Sequence, residues 1–291
     1  LFTSPHMHSI RERIRVDGEV ISEMGLATFL ATYGEKMKEL GLSYFEMTTA
    51  MAFDWFSEAG VEVAVIETGL GGRLDATNVV NPELSIITNI ALEHTDILGD
   101  TIVKIAAEKA GIIKRDIPVV IGESNPESDA VFVARAEELD APITFADRTY
   151  ECVERTVHSP WDRYTLRRLR DGREQTIDLD LQGAYQEQNI ITVRTAISVL
   201  KHRTHINIST RALMTGCRNV TESTGMSGRW QVLSRNPFTV ADAGHNAHGL
   251  REVVRQIEEH EHHRLFMVIG FAADKNLSEI LPLLPKDAYY I

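Results

Sequence analysis

Short β-branched runs alternate with segments of helical spacing through the first half of this chain, and no other feature restricts its fold as tightly. Val61-Glu62-Val63-Ala64-Val65-Ile66, Leu84-Ser85-Ile86-Ile87-Thr88 and Ile117-Pro118-Val119-Val120-Ile121 read as strands. Residues 44–58, 102–111 and 127–139 read as helices around them. Strand, helix and strand in that order make a crossover unit, so the expected fold is α/β on a mainly parallel sheet. Residues 150–181 break the alternation: Tyr164–Arg168 and Thr176–Leu181 flank Asp171-Gly172, a turn dipeptide, and predict a β-hairpin insert. Helices are expected near 185–201 and 209–220, followed by a hinge at Thr224-Gly225-Met226-Ser227-Gly228. Strands near 238–241, 265–269 and 289–291 come next. At 291 residues and 43% hydrophobic, the chain has material for two domains, and the expected division is 1–225 and 226–291.

Composition removes several classes of function. A formal charge of −12 argues against broad nucleic-acid binding, which needs clustered Lys and Arg to release counterions. Cys152 and Cys217 are the only cysteines and have no metal-type spacing, so neither a disulfide scaffold nor a zinc site is expected. No apolar run reaches the roughly 18 residues of a membrane span, and no export signal opens the chain, so a cytoplasmic protein with no membrane partner is expected.

Chemistry concentrates where strands end. Glu67 closes the first strand-like run and opens Thr68-Gly69-Leu70-Gly71-Gly72-Arg73-Leu74-Asp75-Ala76-Thr77-Asn78. The glycines also suit a turn that holds nothing. A carboxylate at the carboxyl end of an apolar strand, however, sits where open α/β sheets place ligands, and it must be paired or coordinated. His94 follows the next strand and is directed toward the same edge, so carboxylate and imidazole could meet one Mg²⁺-phosphate centre. Lys109 is either a solvated helix lysine or an amine held near that centre with a depressed pKa. Asp242-Ala243-Gly244-His245-Asn246 ends a strand and precedes a helix, as a capped polar turn or a ligand loop. Arg229, after the hinge, is a surface cation or one that reaches phosphate when domains close.

Thr3-Ser4-Pro5-His6, Glu12-Arg13-Ile14, Glu67 through Asn78, His94-Thr95-Asp96, Glu108-Lys109-Ala110-Gly111-Ile112-Ile113-Lys114, Gly228-Arg229 and Asp242 through Asn246 resemble the folylpolyglutamate synthase and dihydrofolate synthase family of the Mur ligase superfamily. Spacings agree as well as letters, nearly end to end. The resemblance implies an ATP-dependent ligase in which a carboxylate of folate or dihydropteroate is phosphorylated and the amine of L-glutamate displaces the phosphate. It implies ATP and Mg²⁺, with Glu67, His94 and Ser4 as metal ligands. Lys109 matches the lysine the family carbamylates, and Arg13 an arginine near the incoming glutamate. Gln186, Asn189, Arg229, Asp242 and His245 match nucleotide-binding positions, and Pro5, His6 and Asp75 fall on the substrate side. In these terms 1–225 is the central ATPase and folate-binding domain and 226–291 a Rossmann-like ligase domain, and a monomer is implied.

The family's GTNGKGS loop precedes the serine-proline segment, and this chain has no GxxxxGK[ST]. The expectation is therefore a chain lacking a P-loop before Leu1 and more of the second domain after Ile291, inactive as it stands. Asp242-Ala243-Gly244-His245-Asn246-Ala247 replaces the commoner DGAHNP, keeping Asp, His and Asn but moving the glycine. Two other readings remain: a Mur-type ligase joining an amino acid to a cell-wall precursor, which the Ser4-Pro5-His6 and Glu12-Arg13-Ile14 segments disfavour, and a noncatalytic protein that holds nucleotide or folate.

Overall fold

The computed structural model describes residues 1–157, 160–271 and 277–291. After a single 3-10 turn at Ile10–Arg13, strands β1 (Arg15–Val16) and β2 (Glu19–Val20) form a small antiparallel ribbon. Helices α1 (Glu23–Glu39) and α2 (Tyr44–Ala59) follow, each started by a serine whose hydroxyl accepts a backbone amide of the first turn. Glu46 completes a capping box on α2, and Gly60 ends that helix in the left-handed conformation at φ 61°. Phe2, Ile14 and Ile21 pack with Phe29 and Met37 of α1 and with Met51, Ala52 and Phe56 of α2.

The parallel sheet consists of β3 (Ser85–Ile87), β4 (Val119–Ile121) and β5 (Ile143–Phe145), in that order. Between β3 and β4 lie α3 (Thr95–Leu98) and α4 (Ile102–Lys109), and between β4 and β5 lies α5 (Pro126–Glu138). Every residue of β4 is buried, as a central strand covered on both faces must be. Val119 and Ile121 join Ala106 of α4 and Phe132 and Ala136 of α5, whereas Val120 turns to the opposite core.

That opposite core is built by β6 (Tyr150–Thr156), β7 (Asp162–Arg168) and β8 (Glu174–Leu179), an antiparallel meander, with α6 (Gln186–Arg203) and α7 (Thr210–Arg218). The expected hairpin is present, with Gly172 at φ 67°, but a third strand, β6, precedes it. α8 (Val220–Thr224) leads into β9 (Gln231–Arg235) and β10 (Phe238–Ala241), then α9 (Ala247–Glu258), β11 (Phe266–Met267), α10 (Leu277–Ile280) and β12 (Tyr289–Tyr290). β9 and β10 pair antiparallel, and β11 and β12 pair parallel. No described helix is long and apolar enough to cross a membrane.

Two expectations need correction. Residues 61–66 are not a strand: only Ile66 bridges, to Phe2, and one bridge makes no ladder. Val63 and Val65 are exposed, which their β-branched character hid. The helix expected over 209–220 breaks at Asn219, which leaves the helical region at ψ 33° and separates α7 from α8. The residues expected as a hinge are closely packed. A Cβ on Gly225 would stand 2.3 Å from the Arg15 guanidinium, and one on Gly228 2.9 Å from Met7 Cε. Both glycines have positive φ, and buried Trp230 follows them at φ 44°.

Candidate active site

The site begins with the loop at residues 3–9, which one carboxylate shapes. Glu12 accepts hydrogen bonds from the amides of Met7, His8 and Ser9 at 2.8, 3.0 and 2.8 Å. Phe2 ties this segment to 65–67, its amide donating to Val65 and its carbonyl accepting from Glu67. The Ser4 amide then donates to Glu67 Oε2 at 2.7 Å. Buried Arg13 donates through Nε to His6 Nδ1 at 2.9 Å and lies over the Tyr44 ring at 5.3 Å. Crowding by protein raises the Glu67 carboxyl above the usual range, while the Ser4 amide and the Arg229 and Arg13 guanidinia pull the other way. Of the residues expected from sequence to share a site, Ser4 bonds Glu67, and Arg13 and Arg229 lie near enough for their charge to act on its carboxyl.

The glycine-rich turn is a packing device. A Cβ at Gly69 would collide with the Phe45 ring, and one at Gly71 would lie 2.7 Å from Leu98 Cδ2 of α3. At Gly72 it would lie 3.1 and 3.2 Å from the Glu108 and Lys109 carbonyls, so the turn rests directly on the end of α4. Arg73 fixes the contact: its amide donates to the Glu108 carbonyl at 2.8 Å and its guanidinium pairs with the Glu108 carboxylate at 3.0 Å. Asp75 holds the turn's shape, with Oδ2 accepting from the Leu70 amide at 2.9 Å and Oδ1 from the Thr77 amide and hydroxyl. Gly111 completes the joint from the other side, where an added Cβ would stand 2.3 Å from Arg73 Cα. Since backbone cannot yield as a side chain can, Gly111→Ala is expected to cost about 3 kcal/mol. Chemical denaturation would measure it, and a change below about 1 kcal/mol would show that the two backbones are free to separate.

His94 starts α3 in the left-handed region at φ 51°, unusual outside glycine, and its ring makes no capping bond. Among the described residues, no hydrogen bond joins that ring to Glu67. Lys109 ends α4, half-buried; burial lowers its ammonium below the usual lysine range, and Glu93 opposes that shift. Glu93 also accepts a hydrogen bond from the Asn246 side-chain amide. Among the described residues, no three His, Cys, Asp or Glu side chains gather around a point able to hold a metal ion. Glu67 and His94 as ligands would thus depend on hydroxyl and phosphate oxygens to complete a shell, which suits Mg²⁺, a cation that keeps waters and shares phosphates.

Beyond residue 228 the chain carries Asp242 next to Trp230 and Tyr185. Its Oδ2 accepts from the Trp230 amide at 2.7 Å and the Tyr185 hydroxyl at 3.4 Å, and its Oδ1 from the Gly244 amide at 2.7 Å. His245 is exposed, with Nδ1 3.0 Å from the Ala243 carbonyl. Asn189 donates to buried Gln186 Oε1 at 2.8 Å. Both amides line a cavity of about 300 Å³ whose other walls include Leu179, Ile190, Leu213 and Cys217. Burial pushes the Cys217 thiol up to about 11, so it stays a neutral wall atom. Sequence reading passed over Glu93, Tyr185 and Trp230. Glu93 adjoins His94 and Tyr185 adjoins Gln186, so neighbourhood to a recognised position was the available signal.

A parallel sheet with an imidazole in the loop after its first strand, a desolvated lysine at the end of the following helix, a carboxylate on a turn packed against that helix, and an aspartate from a further α/β segment fits a Mur-type ligase architecture, and the Mur ligase middle domain matches residues 18–197. The chain is 32% identical over 284 residues to folylpolyglutamate synthase of Lacticaseibacillus casei and 31% identical over 298 residues to dihydrofolate synthase/folylpolyglutamate synthase of Bacillus subtilis. These alignments cover 95% and 100% of the chain, but 65% and 68% of the relatives. It spans only 34% of a longer curated match. A solved FPGS in complex with AMPPCP and folate superposes with a TM-score of 0.88 at 30% identity, over 100% of this chain and 71% of that one. The chain belongs to the folylpolyglutamate synthase and dihydrofolate synthase family within the Mur ligases.

Proposed function

We propose that the protein is an ATP-dependent carboxylate-amine ligase that adds L-glutamate to dihydropteroate, to a folate tail, or to both. The observation that carries this reading is the meeting of Ser4, Arg13 and Arg229 about Glu67, from three separated parts of the chain, on a turn that rests against Lys109. A carboxylate is a poor electrophile, so its oxygen first attacks the γ-phosphorus of ATP and ADP departs. The glutamate amine then attacks the acyl carbon, phosphate leaves, and the amine proton is lost.

Each residue has a part in those steps. Glu67 and His94, with the Ser4 hydroxyl, would hold Mg²⁺, which supplies charge neutralisation at the transferring phosphoryl group. Arg13, anchored by His6 and Tyr44, presents a fixed guanidinium to the carboxylates of incoming glutamate. Pro5, His6 and Asp75 border the pterin-bearing substrate. Arg229, Asp242 and His245 would face the nucleotide phosphates and ribose, while Gln186 and Asn189, which line a largely apolar cavity, would meet adenine. Lys109, if carbamylated, would add an anionic oxygen donor to the groups that could hold Mg²⁺. The domain boundary is placed at 225/226, the family resemblance favours a monomer, and the sparse cysteines favour the cytoplasm.

ADP release tests the reading, measured on the protein as expressed from its own gene, with dihydropteroate and tetrahydrofolate supplied separately. ADP is expected only when Mg²⁺, L-glutamate and one of the two acids are all present. Release that ignores glutamate, or none with either acid, would refute it.

A further inference from the structure

Asn246 lies 153 positions from Glu93 yet is joined to it by hydrogen bond. Both ends of the Asn246 amide are committed. Its nitrogen donates to Glu93 Oε1, and its oxygen accepts from the Gly249 amide at 2.7 Å, capping α9. A half-buried carboxylate thus sits at the start of a twelve-residue helix, where the helix dipole favours negative charge. The other end of α9 is fixed as well. Gln256, 1% exposed, accepts the Ala184 amide at 2.9 Å, and Glu259 pairs with Arg155 at 3.5 Å. A helix held at both ends behaves as a strut, so the turn that precedes it, Asp242 through His245, takes its position from these bonds.

We propose that Glu93 is a positioning residue: by gripping Asn246 it sets α9, and with it the Asp242–His245 turn, against the loop that carries His94. The contact to Asn246 is direct, whereas Lys109 feels Glu93 only through its charge. The consequence for nucleotide affinity rests on the ligase reading above; the positioning itself does not.

Reversing the bond's polarity tests it. Asn246→Asp keeps a good helix cap but sets two carboxylates face to face. Glu93→Gln combined with Asn246→Asp restores a donor opposite an acceptor. Hydrogen exchange of the first-turn amides of α9 should quicken in Asn246→Asp and in Glu93→Ala and return toward the parental rate in the double variant. In the ligase assay, KM for ATP should rise about tenfold in Asn246→Asp with kcat within about twofold, and recover in the double variant. Unchanged exchange in both single variants, or a double variant no better than Asn246→Asp, would overturn the proposal. Should no ADP form with either acid, the ligase reading fails, and the exchange rates alone decide the role of Glu93.

Discussion

Lys109→Ala is expected to lose about a thousandfold in ligase turnover, the scale on which a preorganised charged group acts at a transferring centre, and formate or acetate to restore a measurable part. The cause lies at the end of α4, where burial lowers the Lys109 ammonium despite the opposing charge of Glu93. A lowered pKa leaves more of the amine neutral at a given pH than in an ordinary lysine. Neutral amine is the form that attacks carbon dioxide, making a nitrogen-carbon bond and releasing a proton. The product is an anion, which an ordinary lysine could never present. Native mass spectrometry should find the added carbon dioxide on Lys109 in bicarbonate buffer. Unmodified Lys109 with full turnover in carbon-dioxide-depleted buffer would refute the role.

Glu67→Gln is expected to lower Mg²⁺-dependent ADP formation at least about a hundredfold while leaving the melting temperature unchanged or higher. Both halves follow from one environment. The carboxyl is raised above its ordinary 4.5, so the folded protein holds that proton more tightly than the unfolded chain does. Its contribution favours folding at low pH and is lost as pH rises through the folded value. At neutral pH the ionised group therefore weakens the fold, and a neutral amide that still accepts from Ser4 relieves the penalty. A melting temperature lower by several degrees, or turnover near the parental rate, would separate Glu67 from the metal.

The parallel sheet was legible because β4 is buried on both faces, which writes an unbroken apolar run into 117–121. The run at 61–66 is also rich in β-branched residues, yet Val63 and Val65 are exposed, because composition reports propensity and not whether a neighbour exists. β9 went unread since its exposed and half-buried residues alternate without strong apolar character. In the site, the Glu67 turn stood out by its glycines, but their use, close approach to α4 and α3, needed coordinates. Asp75 was marked as a substrate residue by resemblance alone; its bonds to Leu70 and Thr77 are a local duty invisible in a string of letters. Glu93 shows the limit most clearly, because its partner Asn246 is distant in sequence and no periodicity connects them.

The stretch at 225–230 has little spare volume: Gly225 abuts Arg15, and Gly228 abuts Met7. Drift at either of those early positions should accordingly be answered near 225–230, and changes there by changes upstream. In a laboratory evolution experiment, beneficial substitutions in these two stretches are expected to arise as linked pairs, and shuffling one stretch without the other should yield mostly defective offspring.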